Sequence, residues 1–193
     1  MQLIGLRVAL AAAAVIVSAS AFAEEARVEE IRERLVNANQ WRDHVMVVAH
    51  RGGGLQAGKT LFPENSIAAV VDAVELGAEM VELDVQKSRD GVYVVFHDSW
   101  LNRTSTCKGI LAEKTLAELK TCNLVVEGTG EVTAETVPTL TEMLAVTRDK
   151  IFVNVDNKLG IEELPAIAAI AREAGAADQI VIKQNLWNVE KLA

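Results

Sequence analysis

Aromatic side chains are scarce, at 4% of 193 residues, too few for the stacking platforms that bind single-stranded nucleic acid. Cations are outnumbered, with 19 Lys+Arg against 27 Asp+Glu and a formal net charge of −8. That balance argues against a partner held by charge alone, such as nucleic acid or an anionic membrane. Two cysteines, Cys107 and Cys122, cannot build a disulfide scaffold or an all-cysteine zinc site. There is no Walker loop, no Gly-x-Gly-x-x-Gly and no Gly-x-Ser-x-Gly, which disfavours nucleotide cofactors and a serine hydrolase. Beyond residue 23 no apolar run approaches the ~20 residues of a spanning helix, so no stable membrane anchor is expected. What is present is half hydrophobic and 24% charged. A packed core is affordable, and intrinsic disorder is excluded.

The first residues read as an address. Arg7 precedes an unbroken apolar run from Val8 to Val17, and Ala21-Phe22-Ala23 offers a small-x-small cleavage site. These are the proportions of a secretory signal, so residues 1–23 are expected to be removed and 24–193 exported, to a periplasm or beyond. Export and the even cysteine count then lead to the expectation that Cys107 and Cys122 are disulfide-bonded.

The remaining chain alternates between helical and β-branched stretches. Val28, Ile31, Leu35 and Val36 predict an amphipathic helix within residues 24–40. Strands are predicted at 45–49, 80–86, 92–96, 151–155 and 180–182. Helices are predicted at 66–77, 139–146 and 162–174, with Asn65 or Ser66 as an N-cap and Gly77 and Gly175 as stops. Residues 98–137 lack a clear period and read as an inserted excursion. This alternation predicts an α/β fold with a parallel sheet.

Polar residues gather where these strands end. Glu82 and Asp84 share one face of their strand, opposite Val81, Leu83 and Val85. Two carboxylates so placed repel unless something positive lies between them, and a hard divalent cation is an economical answer. His50 follows the first strand and His97 the third. Asn154, Asp156 and Lys158 share a face in and after the 151–155 strand. Ligands bind at the carboxyl ends of parallel strands. The set suits hydrolysis of a phosphate ester, with two histidines as acid and base and with Arg51 or Lys158 neutralising phosphate charge. His44, before the first strand, is given no role.

These residues also carry a resemblance. His50-Arg51-Gly52, Pro63-Glu64-Asn65-Ser66, Glu82-Leu83-Asp84-Val85-Gln86, Phe96-His97-Asp98, Leu101-Asn102-Arg103-Thr104 and Pro138-Thr139-Leu140 resemble, in order and spacing, the glycerophosphodiester phosphodiesterase family. The match runs from about residue 46 to 158. The resemblance implies a TIM-type (β/α)8 barrel of the phosphatidylinositol-phospholipase-C-like superfamily. It also implies hydrolysis of small glycerophosphodiesters to glycerol 3-phosphate and an alcohol with Ca2+ or Mg2+. On this reading His50 and His97 are catalytic, and Glu82, Asp84 and Asp156 hold the metal. Arg51, Lys158 and Glu64 bind substrate, and 98–137 is the family's insertion. Two departures stand out: Asp156 occupies a position that is usually Glu, and the first loop, Leu55 to Phe62, is long.

Alternatives are a sphingomyelinase- or phospholipase D-like lipase of the same superfamily and a non-catalytic degenerate relative. The first would carry an apolar membrane-facing loop, and neither 55–62 nor 98–137 is strongly apolar. An eight-unit barrel takes ~250 residues, whereas five strands are read here. The expectation is therefore a barrel truncated after about the fifth strand, inactive and aggregation-prone on its own.

Overall fold

A computed structural model of the chain describes residues 27–53, 55–56 and 59–184; the expected signal segment, 1–23, lies outside them. Residues 27–36 form helix α1. Ile31 is its buried contact, packing with Met80 and Phe152, and Val28 is partly covered. Leu35 and Val36 are exposed at the helix end, so the apolar stripe is a turn shorter than the spacing predicted. Next come β1 (Val48–His50), β2 (Leu55–Gln56), β3 (Lys59–Thr60), α2 (Ile67–Glu75), β4 (Met80–Lys87) and β5 (Tyr93–Val95). The chain continues through α3 (Leu116–Leu119), β6 (Asn123–Val125), β7 (Val132–Thr136), α4 (Leu140–Thr147), β8 (Phe152–Asn157), α5 (Leu164–Glu173) and β9 (Ile180–Lys183).

The main sheet runs β1-β4-β8-β9, all parallel, with helices on the crossovers. Local chemistry sets the helix ends. Ser66 accepts the Ala69 N–H as N-cap of α2, and Thr139 and Glu142 form a reciprocal capping box on α4. Gly77, with φ +86°, takes the left-handed position that stops α2. Odd-numbered residues of β4 (Val81, Leu83, Val85) and β8 (Val153, Val155) face Val70, Leu140, Met143, Leu144 and Ile167 of the helices, forming the core. Alternation therefore turns Glu82, Asp84 and Asp156 to the other face, away from the helices.

One expectation needs correction. The strand before His97 is not parallel: β5 pairs antiparallel with the far end of β4. Only the Ser88–Val92 turn joins them, and a parallel crossover needs a dozen or more residues. Residues 98–137, read as an inserted excursion without a clear period, pack around apolar residues of their own. Phe96, Leu101, Leu111, Leu119, Leu124 and Val137 form a second apolar cluster there. The β6–β7 hairpin and the Cys107–Cys122 disulfide brace it.

Candidate active site

Strand register builds the site. His50 is the Cα partner of Glu82, and Asp84 is the partner of Asp156. Each is about one interstrand spacing from its partner, ~4.8 Å. Oxygens of Glu82, Asp84 and Asp156 lie within 4.8 Å of one another, a cluster able to hold a divalent ion. His97 arrives differently. The Phe96 N–H donates to the Asp84 carbonyl at 2.9 Å, so the antiparallel return of β5 carries the chain back alongside the carboxylates.

The His50-Arg51-Gly52 turn is a strained one. Arg51 has φ 56° and Gly52 φ 69°, and a Cβ on Gly52 would meet Val70 Cγ2 at 3.0 Å and the Val70 N at 3.2 Å. The left-handed bend aims the Arg51 N–H at Glu82 Oε2, 3.1 Å away, and leaves His50 71% exposed with Nε2 3.8 Å from that carboxylate. The Arg51 guanidinium meets Glu64 at 2.9 Å and Asp84 at 3.4 Å. Lys158 Nζ sits 2.9 Å from Asp84 Oδ1 and 2.7 Å from Asp156 Oδ2.

Charge is unevenly shared. Burial, then the neighbouring Asp84, pushes the Glu82 carboxyl up. Burial pushes Asp156 up as well, but Lys158 and Lys183 outweigh it and hold the group down. Burial alone would lower the Lys158 ammonium, yet Asp156 and Asp84 together raise it. The donor set fits a hard cation: three carboxylates clustered on one strand face, with, among the described residues, Asp84 Oδ1 facing only Lys158 and the buried Asn154 Oδ1 without a hydrogen bond.

The fold brings together all eight residues singled out from the sequence. Glu64 lines the cleft of about 350 Å³ with His50, Arg51 and Phe62, and its carboxylate is engaged by Arg51 and Arg103. His44 stands apart, on Glu79 ahead of β4, at the other end of that strand from Asp84.

Sequence reasoning gave no part in the chemistry to five residues that shape the site. Asn65 (φ 58°) donates to Asp84 Oδ2 at 2.8 Å and accepts the Asp84 N–H at 3.2 Å. The Gln86 amide donates to the carbonyls of Phe96, His97 and Asp98 at 2.7–3.0 Å, fixing the histidine's backbone. Asp98 holds His97 Nδ1 at 2.6 Å. Arg103 holds Asp98, and Lys183 holds Asp156. Asn65, Gln86, Asp98 and Arg103 stood inside the motifs quoted above, so that was the available signal.

The family model described as Glycerophosphoryl diester phosphodiesterase family matches residues 50–192. A glycerophosphodiester phosphodiesterase of Caldanaerobacter subterraneus is 40% identical over 157 residues, covering 77% of this chain and 63% of that one. Human glycerophosphodiester phosphodiesterase 1 is 35% identical over 106 residues, covering 54% and 30%. The solved glycerophosphodiester phosphodiesterase of Agrobacterium tumefaciens superposes with TM-score 0.64 at 27% identity, covering 77% and 61%. An Oleispira antarctica phosphodiesterase solved with its product sn-glycerol-3-phosphate gives TM-score 0.56 at 27% identity, covering 74% and 58%. The chain thus spans about six-tenths or less of the length of these relatives. The family's fold is the TIM barrel, and the parallel β1-β4-β8-β9 wall with its helices is of that class. The chain belongs to the glycerophosphoryl diester phosphodiesterase family.

Proposed function

We propose that this chain supplies the active centre of an exported, metal-dependent phosphodiesterase that cleaves glycerophosphodiesters to glycerol 3-phosphate and an alcohol. The observation that carries the reading is the register that sets His50 beside Glu82 and Asp84 beside Asp156 on one strand face. Export rests on the signal-like residues 1–23.

Glu82, Asp84 and Asp156 would hold a calcium or magnesium ion, which when bound polarises a phosphoryl oxygen and offsets developing negative charge. Arg51 and Lys158 add positive charge around the same carboxylates and bind the phosphate. His50 faces solvent, so its ring can exchange a proton with an oxygen in the cleft. His97 has Nδ1 committed to Asp98, which leaves Nε2 for transfer. One histidine takes the proton of the attacking oxygen, and the other returns one to the leaving oxygen. Glu64 holds Arg51 at the cleft wall, where the substrate's glycerol side would pass.

The test is release of glycerol 3-phosphate from glycerophosphocholine and glycerophosphoethanolamine, read by a coupled dehydrogenase, with the protein purified as its source cells make it. Product is expected with calcium or magnesium. A loss of roughly 10²–10⁴-fold is expected in His50→Ala and His97→Ala. No product from either substrate would sink the assignment.

A further inference from the structure

Arg103 stands in one of the quoted motifs yet has no part in the chemistry above. It lies in the insertion, between the buried Leu101 and the buried pair Thr104 and Ser105. Its backbone is fixed on both sides. The Leu101 N–H donates to the Gly109 carbonyl at 2.9 Å, Ser105 Oγ donates to the Leu101 carbonyl at 2.7 Å, and the Val125 N–H donates to the Thr104 carbonyl at 2.9 Å. The guanidinium therefore projects from a rigid base.

Its donors are fully used. Nε donates to Asp98 Oδ2 at 2.6 Å and Nη2 to Asp98 Oδ1 at 3.1 Å. Nη2 also donates to Glu64 Oε1 at 2.6 Å, and Nη1 to Glu64 Oε2 at 3.2 Å and to Glu127 Oε1 at 3.0 Å. A guanidinium has five N–H donors in a fixed plane, and here five contacts take them. Each of the two inner carboxylates has a second client. Asp98 Oδ1 holds His97 Nδ1, and Glu64 Oε2 receives Arg51 Nη1 at 2.9 Å. The chain of contacts His97–Asp98–Arg103–Glu64–Arg51 is unbroken.

We propose that Arg103 is a positioning residue that locks the His97 imidazole, through Asp98, and the Arg51 guanidinium, through Glu64, to one platform in the insertion. This rests on the functional reading above, in which His97 moves a proton and Arg51 meets the phosphate. A planar fork is required, because an ammonium is a point charge and cannot grip two carboxylates bidentately. Misplacing a reacting group by about 1 Å can cost on the order of 10²-fold in rate.

The test compares Arg103→Gln, Arg103→Lys, Asp98→Asn and Glu64→Gln with wild type in two readouts. In kinetics, Asp98→Asn lowers kcat with little change in KM, and Glu64→Gln chiefly raises KM. Arg103→Gln does both, by roughly 10–100-fold in kcat/KM, and Arg103→Lys does not rescue it. Because Asp98 acts only through the same chain of contacts, the kcat loss in the Asp98→Asn/Arg103→Gln double variant is less than the product of the singles. Arg89→Gln, which removes an exposed pair with Glu118 elsewhere on the insertion, serves as the control and leaves both constants unchanged. In NMR, a downfield, slowly exchanging His97 Nδ1–H is expected in wild type and is broadened or shifted in Arg103→Gln. That signal needs no turnover, so an inactive wild type would sink the functional reading while the imidazole resonance still decides the positioning. An unchanged resonance, wild-type kcat and KM in Arg103→Gln, or multiplicative losses in the double variant would overturn the proposal.

Discussion

Asp98 is the residue whose charge state is most plainly set by its neighbours. The hydrogen bonds from Arg103 hold it down, partial burial opposes them, and His97 adds to the lowering; the balance leaves its carboxyl at about 2. The folded group thus ionises more readily than in the unfolded chain. Its contribution to stability is complete above about pH 4 and is lost as the pH falls toward 2. A tenfold gain in acidity on folding corresponds to about 1.4 kcal/mol, and solvent screening of a partly exposed pair reduces the sum to about 1–2 kcal/mol. Urea unfolding of Asp98→Asn at pH 7 should show that loss, and its stability should fall less steeply than wild type between pH 4 and 2. Parallel pH curves for the two proteins would remove the carboxylate from this role. At this scale the sequence was legible where chemistry sits on a strand: Glu82 and Asp84 declare a shared face by alternation alone. It was illegible where a side chain serves another side chain. Nothing local in Arg103 reveals that its carboxylate Glu64 lies 39 residues upstream, or that Asn65 reaches Asp84 19 residues on.

Among the elements, those with strong periods were readable to within a few residues. Helices α2, α4 and α5 each bury one face, β8 alternates between more and less buried positions, β4 is buried along nearly its whole length, and the caps Ser66 and Thr139 mark the starts of α2 and α4. The direction of β5 was readable from its short turn but was overridden by the parallel alternation around it. The insertion was not readable because its pieces are three to five residues long, such as α3 (Leu116–Leu119) and β6 (Asn123–Val125), too short for any period to emerge. What holds it is closure rather than propensity. The Cys107–Cys122 bond spans a sequence separation of 15, and a loop of that size removes about 3 kcal/mol of chain entropy from the unfolded state. Replacing both cysteines with serine should lower unfolding stability by about 2–4 kcal/mol in denaturant titrations. Equal midpoints would assign the insertion's order to its apolar cluster alone. A second element-level prediction concerns the turn after β1. Gly52→Ala places a Cβ against Val70 in a backbone conformation that alanine disfavours. A cost of about 1–3 kcal/mol is expected, together with displacement of Arg51 from Glu82. A Gly52→Ala protein that melts and turns over like wild type would show that the turn can relax.

For the molecule as a whole, the two central strands β4 and β8 carry a charge conflict that folding creates. Glu82, Asp84 and Asp156 come within 4.8 Å only when the register forms, and the raised carboxyl of Glu82 reflects its burial beside Asp84. Lys158, Lys183 and Arg51 offset part of this, concentrated on Asp84 and Asp156. Glu82 has the backbone N–H of Arg51 and a distant His50 instead. A ligand that binds only the folded state raises its stability by about 2.7 kcal/mol at one hundred times its Kd. For a chain of this size that corresponds to a melting rise of very roughly 5–10 °C. Calcium or magnesium should therefore raise the calorimetric melting temperature, and a chelator should reverse the rise. Glu82→Gln separates this from a general salt effect, because the amide is nearly isosteric, removes one of the crowded charges and removes a metal ligand. The metal-free variant should melt above metal-free wild type, and the same variant with saturating metal should melt below metal-loaded wild type. Such a crossing of order is hard to produce by packing changes, which would move both forms in one direction. If Glu82→Gln responded to metal as strongly as wild type, the ion would be held elsewhere, and the three carboxylates would be a charge cluster balanced by the lysines and Arg51 alone.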